Sequence, residues 1–392
     1  NGWCSSFEWK SLRFNDDDNA YLSRTPTQAW DRKTWTWSWW VKRTTLWTQD
    51  RFFCRLESSG SACLQFLPTD QLSIFDYSWG YNISLKTEQL FNNPSNWYHL
   101  IVSVDSTNPT LWERVIVYLN WNRITTFETE TYPAKDIEMN FNDTVSHTFG
   151  TQGWSHPFDG YLSDVNFIDW QALTPTSFGE TVWWEWIPKD YTWTYWTNWF
   201  NLDFGNENAL WADTSGNGND WTVNNIDATD QMLDMPENNF AVLNLLDSVW
   251  ATLSEWNLSY LSWNNRWVRG SMLLNLWKWY WEIETNWTNA WCSWVWVKEV
   301  SLWLDNCSNQ LATEKSWNYV YYNWTKSNMS TWDSYGESAT NGGIVWVALD
   351  MDNGTIEFFN NWISQWIAYS NLLWEEVYPI VSTIESWNNY QQ

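Results

Sequence analysis

The sequence predicts an all-β protein made of two tandem antiparallel β-sandwiches of the jelly-roll type. Three observations support this fold class. Helical periodicity is nearly absent, short runs of β-branched and aromatic residues recur, and Asn, Asp, Ser and Gly separate those runs. The 392 residues are enough for two domains of ordinary size. Helices are therefore expected only as short turns, such as one after Pro175.

The predicted strands can be followed along the chain. In the run 34–38, Trp alternates with Thr and Ser, which places one face of the strand inward and the other outward. Asp159 and Gly160 predict a turn before the last strand of the first domain, and Phe178 is expected to plug the end of that sandwich. The other predicted strands share β-branched and aromatic composition: 98–104, 114–119, 161–168, 279–284, 344–349 and 355–359.

Composition divides the chain into two domains and a connector. Residues 10–182 form the first predicted sandwich and residues 266–392 the second. Residues 183–265 contain the polar run 213–220 and then a stretch rich in Asp and Asn. We interpret 183–265 as a connector with little core of its own. An ordered arm packed along both domains is the alternative.

The net charge of −26 disfavours nucleic acid as a partner, because a polyanion is repelled by such a surface. Solubility is the main interpretation of this charge. A calcium site is the alternative, and Asp350 with Asp352 is its candidate because carboxylates bind hard cations. A turn held by its own Asx hydrogen bonds is favoured there, so no cofactor is expected. The chain has no apolar run of about 18 residues, so membrane insertion is not expected.

The cysteine and histidine patterns do not favour a zinc site. The five cysteines are Cys4, Cys54, Cys63, Cys292 and Cys307, and no two have CxxC spacing. Cys54 and Cys63 have the spacing to face each other across a hairpin, although free buried thiols are favoured over a disulfide. His147 and His156 have no Ser or Cys partner by spacing, and both are expected in loops.

Tryptophan is unusually frequent and glycine unusually rare. The chain has 42 Trp and 15 Gly, whereas average usage would give about 27 Gly in this length. Trp also follows Asn or Asp between strand-like runs, where a two-residue hairpin favours Gly because its turn needs φ > 0. These dipeptides are 120–121, 169–170, 198–199, 286–287, 323–324 and 361–362.

We hypothesise that many of these Trp are Gly in the living protein. The codon UGA encodes Trp in some genetic codes and Gly in others, so translation with the wrong table would produce this pattern. A truly Trp-rich protein is the alternative. Several Trp have a strand context that favours packing in a core: Trp35, Trp37, Trp40, Trp97, Trp221, Trp279 and Trp281.

The first domain resembles the laminin-G-like, concanavalin-type sandwich domains of phage virion proteins. The segments that carry the resemblance are 11–15, 22–26, 33–38, 40–43, 97–100, 158–165, 167–173, Pro175 and 178–180. In that family the residues at Trp121 and Trp170 are typically Gly. The connector is also similar to the stretch that follows such domains in phage proteins, at 188–191 and 238–241.

The second domain resembles a SPRY domain, which is also a bent β-sandwich. The resemblance rests on 278–284, 344–350, 352–359, 360–368 and 378–382. The family pattern has Gly at Trp346, Trp362 and Trp366. Its last strand is missing beyond Gln392, and the chain opens at Asn1, so we expect a piece of a longer product with an unpaired strand that favours association. Whether a signal peptide precedes Asn1 is left open.

A catalytic role is not expected. Sandwich-fold glycosidases use two facing carboxylates, and Glu282 with Glu284 is the nearest candidate because residues two apart share a strand face. The third acid of that enzyme class is absent, so a solvated strand face is favoured. The sequence has no Gly-rich phosphate loop and no GxSxG elbow. We therefore expect no catalytic and no metal-binding residues, and the sequence does not identify the ligand-binding residues.

The two resemblances imply a binding role on a phage particle, as a tail fibre or receptor-binding protein. The expected partners are a host-surface glycan or protein and other virion proteins, and the expected location is the virion, extracellular once released. Exposed aromatic side chains would stack on sugar rings. A purely structural virion protein and a polysaccharide-cleaving enzyme are the alternatives. Phage fibres are commonly trimeric, which leaves a homo-oligomer open, although no heptad repeat argues for one.

Overall fold

The computed structural model describes residues 10–57, 59–150, 156–192, 197–248, 252–261, 266–284, 292–299, 316–320, 325–328, 331–337 and 342–384. Contacts divide the chain into two units, Asn1–Phe240 and Ala241–Gln392. All strand pairs within the described ranges are antiparallel, which confirms the predicted fold class. None of the helices in these ranges has the length and apolar character needed to cross a membrane.

In its described residues, the first unit consists of short strands and three single-turn 3-10 helices. In chain order its strands are β1 (Ser11–Phe14), β2 (Tyr21–Arg24), β3 (Thr34–Arg43), β4 (Asp50–Glu57), β5 (Gly60–Phe66), β6 (Gln71–Tyr77), β7 (Tyr81–Leu90), β8 (Tyr98–Asp105), β9 (Val115–Leu119), β10 (Asn122–Arg123), β11 (Phe127–Thr131), β12 (His147–Phe149), β13 (Gly160–Asp169), β14 (Gly179–Val182), β15 (Glu185–Pro188), β16 (Phe200–Leu202), β17 (Thr222–Asn224) and β18 (Gln231–Met232). The helices are Leu111–Glu113, Pro175–Ser177 and Ala228–Asp230.

The described residues of the first unit form two eight-stranded sheets and the two-stranded sheet β14-β15. Sheet A has the order β10-β9-β8-β3-β13-β1-β18, with β16 also pairing with β13, and sheet B has the order β11-β7-β6-β5-β4-β12-β2-β17. The alternation predicted for β3 is observed, since Trp35 and Trp37 lie in the core. On the opposite face, Thr36 donates to the carbonyl of Gln171 and Ser38 contacts His99. Phe178 is also buried, in a smaller cluster with Ile101 and Trp199.

The structure places residues 183–240 of the predicted connector within the first unit. Three of its strands extend the two sheets: β16 pairs with β13, β17 with β2 and β18 with β1. The fully buried ammonium of Lys42 anchors the end of this segment, because it donates to Asp234, Asn239 and the carbonyl of Phe240. We call residues 183–240 the arm.

Cys54 and Cys63 are joined in a disulfide, so the expectation of free thiols is wrong for this pair. The physical reason is the register of the β4–β5 hairpin, which places the two residues directly opposite each other. Both side chains are buried. Cys4 and Cys307 lie outside the described residues.

Within the residues that the structure describes, the second unit contains three sheets. Its strands are β19 (Leu243–Ser248), β20 (Thr252–Ser254), β21 (Ser259–Leu261), β22 (Arg266–Gly270), β23 (Lys278–Glu284), β24 (Cys292–Glu299), β25 (Ser316–Val320), β26 (Thr325–Asn328), β27 (Thr331–Ser334), β28 (Ile344–Asp350), β29 (Thr355–Asn360), β30 (Ile363–Tyr369) and β31 (Val377–Ile384). The orders are β19-β22-β31-β24-β25-β26-β27, β23-β28-β29-β30 and β20-β21. Val345, Val347, Ile356 and Phe358 are fully buried in its core.

Candidate functional site

A small cavity lies inside the sandwich of the first unit. Its volume is about 20 Å³, which is enough for one water molecule and too small for a sugar. The cavity is lined by five aromatic rings, three polar side chains and one proline: Trp37, Phe53, Phe167, Phe200, Trp221, Arg24, Asn142, His147 and Pro26. This cavity is therefore not a binding site for a ligand as large as a sugar.

His99 and Ser38 form a buried pair in which the histidine is the donor. Ser38 Oγ lies 2.8 Å from His99 Nε2, and Trp186 donates to His99 Nδ1 at 2.9 Å. A ring nitrogen that accepts a hydrogen bond carries no proton, so Nε2 holds the proton of the neutral ring. Burial lowers the pKa of His99 to about 3. His99 therefore cannot take a proton from Ser38, and the pair holds sheet A together.

The other two histidines differ from each other. His147 begins β12 and is buried, so the expectation of a loop residue is wrong for it. Its Nδ1 donates to the carbonyl of Val145, and burial lowers the pKa of His147 to about 4. The physical reason is the pairing of β12 between β2 and β4, a long-range contact that spacing along the chain does not reveal. His156 lies in an exposed bend, as expected.

Glu282 and Glu284 share the exposed face of β23. Their opposite neighbours on β28 are Trp346 and Ile344, so the facing residues are apolar. Glu282 accepts a hydrogen bond from the Tyr280 hydroxyl. This arrangement does not give the facing carboxylate pair that glycoside hydrolysis requires.

Asp350 is held by a turn. It pairs with Lys278 at 2.9 Å and accepts hydrogen bonds from the backbone and side chain of Asn353. The bond from Lys278 is the main reason that the pKa of Asp350 is lowered to about 2. Asp352 accepts separately from the Trp277 amide. Across the part of the chain that the structure describes, no three His, Cys, Asp or Glu side chains are grouped as metal ligands.

Ten tryptophans have left-handed backbone conformations. Positive φ occurs at 22 described non-glycine residues, and ten of these are Trp. Nine of the ten are exposed, Trp256 being the buried one. The set is Trp47, Trp79, Trp170, Trp183, Trp184, Trp256, Trp277, Trp362, Trp366 and Trp374. We call them the left-handed tryptophans.

Two exposed tyrosines lie side by side at the end of the β6–β7 hairpin in sheet B. Tyr77 and Tyr81 are opposite neighbours, 43% and 60% exposed, with ring centroids 5.2 Å apart. The ring centroid of the half-buried Phe75 lies 6.5 Å from that of Tyr81. We call these three residues the tyrosine platform. Sequence reasoning missed it, although the alternation of Phe75 and Tyr77 with buried Ile74 and Asp76 is a readable signal.

Comparisons with known proteins identify both domains. Residues 16–177 match the concanavalin A-like lectin/glucanases superfamily, in its laminin-G-type profile, and residues 278–392 match the SPRY domain. The chain therefore carries a concanavalin-type domain followed by a SPRY domain, as the sequence resemblances predicted. No curated protein matches the chain.

Parts of this chain are also similar to solved structures. The SPRY domain of human HERC1 is 17% identical, with a TM-score of 0.31 over 37% of this chain and 91% of that one. A heptameric SAP-like pentraxin from Limulus polyphemus is 15% identical, with a TM-score of 0.32 over 43% of this chain and 79% of that one. The TRIM65 PSpry domain is 11% identical, with a TM-score of 0.30 over 37% of this chain and 90% of that one.

Proposed function

We propose that this chain is a non-catalytic binding module of a phage virion, of the tail-fibre or receptor-binding type, that recognises a glycan or protein on the host surface. The observation that carries the proposal is the succession of two binding-type sandwich domains in one strongly acidic chain. The charge of −26 keeps such a surface soluble and repels nucleic acid.

The Cys54–Cys63 disulfide supports an extracellular location for the working protein. Disulfides persist in oxidising surroundings and are rare in the cytosol, where thiols are kept reduced. A virion protein meets such surroundings once the particle is released.

The binding proposal is tested with the purified chain. We expect it to bind intact host cells and at least one component of a combined glycan and surface-protein array. Mass spectrometry of purified particles should find the chain in the virion. A chain that binds no cell and no array component, and that is absent from the particles, would contradict the proposal.

We also propose that the left-handed tryptophans are glycine in the protein that the host synthesises. Left-handed backbone costs a residue with a Cβ about 1–2 kcal/mol, and Gly adopts it freely. Of the three positions that the turn pattern and family resemblances single out most clearly, Trp170 and Trp362 have φ of 67° and 72°, whereas Trp121 is not left-handed.

Trp199, which also follows an Asn, is fully buried and packs in a core cluster, so it is not one of the left-handed tryptophans. The dipeptides at 286–287 and 323–324 lie outside the described residues.

Side-chain crowding supports the same proposal. The ring centroids of Trp346 and Trp362 are 3.1 Å apart, closer than the 4.5–7 Å at which aromatic rings pack. A glycine at 362 removes this overlap. Peptide mass spectrometry of the protein from its own host tests the assignment, since a tryptophan at 170, 183, 184 and 362 would overturn it.

A further inference from the structure

We propose that the tyrosine platform is a stacking site for an uncharged sugar ring of a surface glycan. The proposal deepens the binding function proposed above and rests on it. The site consists of Tyr77 and Tyr81, with Phe75 beside them.

The platform is independent of which tryptophans are genuine. Among the described residues, exposed aromatic side chains comprise twelve Trp and four others, Tyr77, Tyr81, Phe240 and Tyr280. Of these four, Tyr77 and Tyr81 contact each other. Tyr280 is already engaged, because its hydroxyl donates to Glu282 and its ring packs on Trp346.

The backbone fixes the two tyrosine rings on the outer face of sheet B. Ile74 and Ile83 of the same hairpin point into the core, so the alternation sends Tyr77 outward. A register shift next to Tyr77 places Tyr81 directly opposite it. The turn between them is tied down, since Ser78 bonds to Asn140. A stacking surface held in this way loses little entropy on binding.

Hydroxyl groups surround the rings. Ser61 is the opposite neighbour of Tyr77 on β5, Ser84 is that of Phe75 on β7, and Thr131 is that of Ser84 on β11. Opposite residues share a sheet face, so these hydroxyls lie on the same side as the rings. Among the described residues, no hydrogen bond occupies the side-chain hydroxyls of Ser61, Ser84, Tyr77 or Tyr81. They can therefore donate to and accept from sugar hydroxyls.

Charge selects an uncharged sugar. The chain has a net charge of −26, which repels an acidic polysaccharide. Lys86, on the same strand as Tyr81, already pairs with Glu128 at 2.9 Å. The tyrosine platform therefore provides an apolar ring face for the C–H groups of a pyranose, and the surrounding hydroxyls bind its polar edge.

The test uses the full chain and soluble probes, namely cello-, manno-, xylo- and chito-oligosaccharides, with oligogalacturonate as the acidic comparison. We expect at least one neutral probe to bind and the acidic probe not to bind. Tyr77→Ala and Tyr81→Ala should each weaken the bound probe about tenfold. Tyr77→Phe should retain most of the affinity because the ring remains.

Matched variants separate the platform from its surroundings. Tyr280→Ala removes an equally exposed tyrosine of the other unit, and Trp79→Gly removes the 95% exposed ring at the tip of the same hairpin. Both should leave the affinity within twofold of the unchanged chain. Thermal unfolding should give the same midpoint for all variants at Tyr77 and Tyr81, since both side chains lie on the surface.

Three results would overturn the platform while leaving the binding function standing. The first is a neutral sugar bound equally well by the Tyr77 and Tyr81 variants. The second is loss of binding in Trp79→Gly alone. The third is binding to host cells without binding to any neutral probe, which would indicate a protein receptor. Failure to bind both cells and probes would overturn the proposed function as well.

Discussion

Burial raises the pKa of three aspartates of the first unit, Asp159, Asp164 and Asp169, to about 7. Asp164 shows the cause most clearly. Its Oδ1 accepts from Asn166 and Asn201, whereas its Oδ2 has no donor among the described residues. Removing a carboxylate from water without a counter-charge favours the neutral acid.

Asp164→Asn should make the protein more stable at pH 8 and leave it nearly unchanged at pH 4, where both the folded and the unfolded carboxyl are largely protonated. The unfolded carboxyl ionises near its ordinary pKa of 3.8, whereas the folded one ionises near 7. Stability from this group is therefore fully present below about 4 and is lost as the pH rises through about 7. The upper limit of this loss is on the order of 4 kcal/mol. The measurement is the difference in Tm between the variant and the unchanged chain, from pH 4 to 8.

An exposed aspartate provides a reference variant for this experiment. Asp136→Asn alters a solvated carboxylate that also has positive φ, which Asn tolerates. The Tm of this variant gives the reference profile for an Asp-to-Asn change at a solvent-exposed position. A flat profile for Asp164→Asn would show that Asp164 is ionised in the folded protein.

The left-handed tryptophans strain the backbone of two hairpin loops. The β14–β15 loop consists of Trp183 and Trp184, with φ of 49° and 78°. Positive φ at both central residues defines a type I′ turn, which matches the strand twist and favours Asn or Gly. The β29–β30 loop repeats this pattern with Asn361 and Trp362.

Trp183→Gly combined with Trp184→Gly should stabilise the chain by about 1 kcal/mol per position. Glycine relieves about 1–2 kcal/mol of left-handed strain and loses part of this gain to its greater unfolded-state entropy. The two side chains are about nine-tenths exposed, so their removal leaves no cavity. Chemical denaturation with a midpoint shift at constant m-value is the measurement.

The opposite result is expected at a buried tryptophan. Trp199→Gly removes a fully buried ring from the cluster with Ile101, Ile168 and Phe178 and should destabilise by more than 3 kcal/mol. Equal destabilisation by the Trp199 change and the hairpin changes would refute the turn-strain explanation.

At the scale of the whole molecule, the arm completes the first unit. It contributes the buried Trp199, Phe200, Leu202 and Trp221. It also supplies Asp234, whose Oδ2 lies 2.6 Å from Nζ of Lys42 and provides a counter-charge for this buried ammonium. An unpaired buried charge is strongly destabilising.

A fragment of residues 10–240 should therefore unfold cooperatively, and a fragment of residues 10–182 should fail to fold. Each large buried side chain that is lost costs about 2–5 kcal/mol, and four of them exceed the usual stability of a domain. Calorimetry of both fragments is the measurement. If the fragment of residues 10–182 unfolds cooperatively at the Tm of the fragment of residues 10–240, the sandwich does not need the arm for its stability.

The resemblance of its segments to known families predicted the two domain types. Local patterns of the sequence predicted the all-β class, the alternation along β3 and the conflict between Trp and turn geometry. These features depend on residues close together in the chain, where period, bulk and steric limits on φ act directly. The same patterns predicted the hydrogen-bonded turn at Asp350, because Asx turns are also local.

Tertiary structure alone decided the features that depend on register between distant strands. It placed the arm on the sheets of the first unit, joined Cys54 to Cys63, buried His147 and set Tyr77 beside Tyr81. Period two shows that a strand has two faces, but a shift of one residue exchanges them, and only the packed partner fixes which face is buried. The platform and its ligand class therefore follow from pairing, whereas the fold class follows from the chain itself.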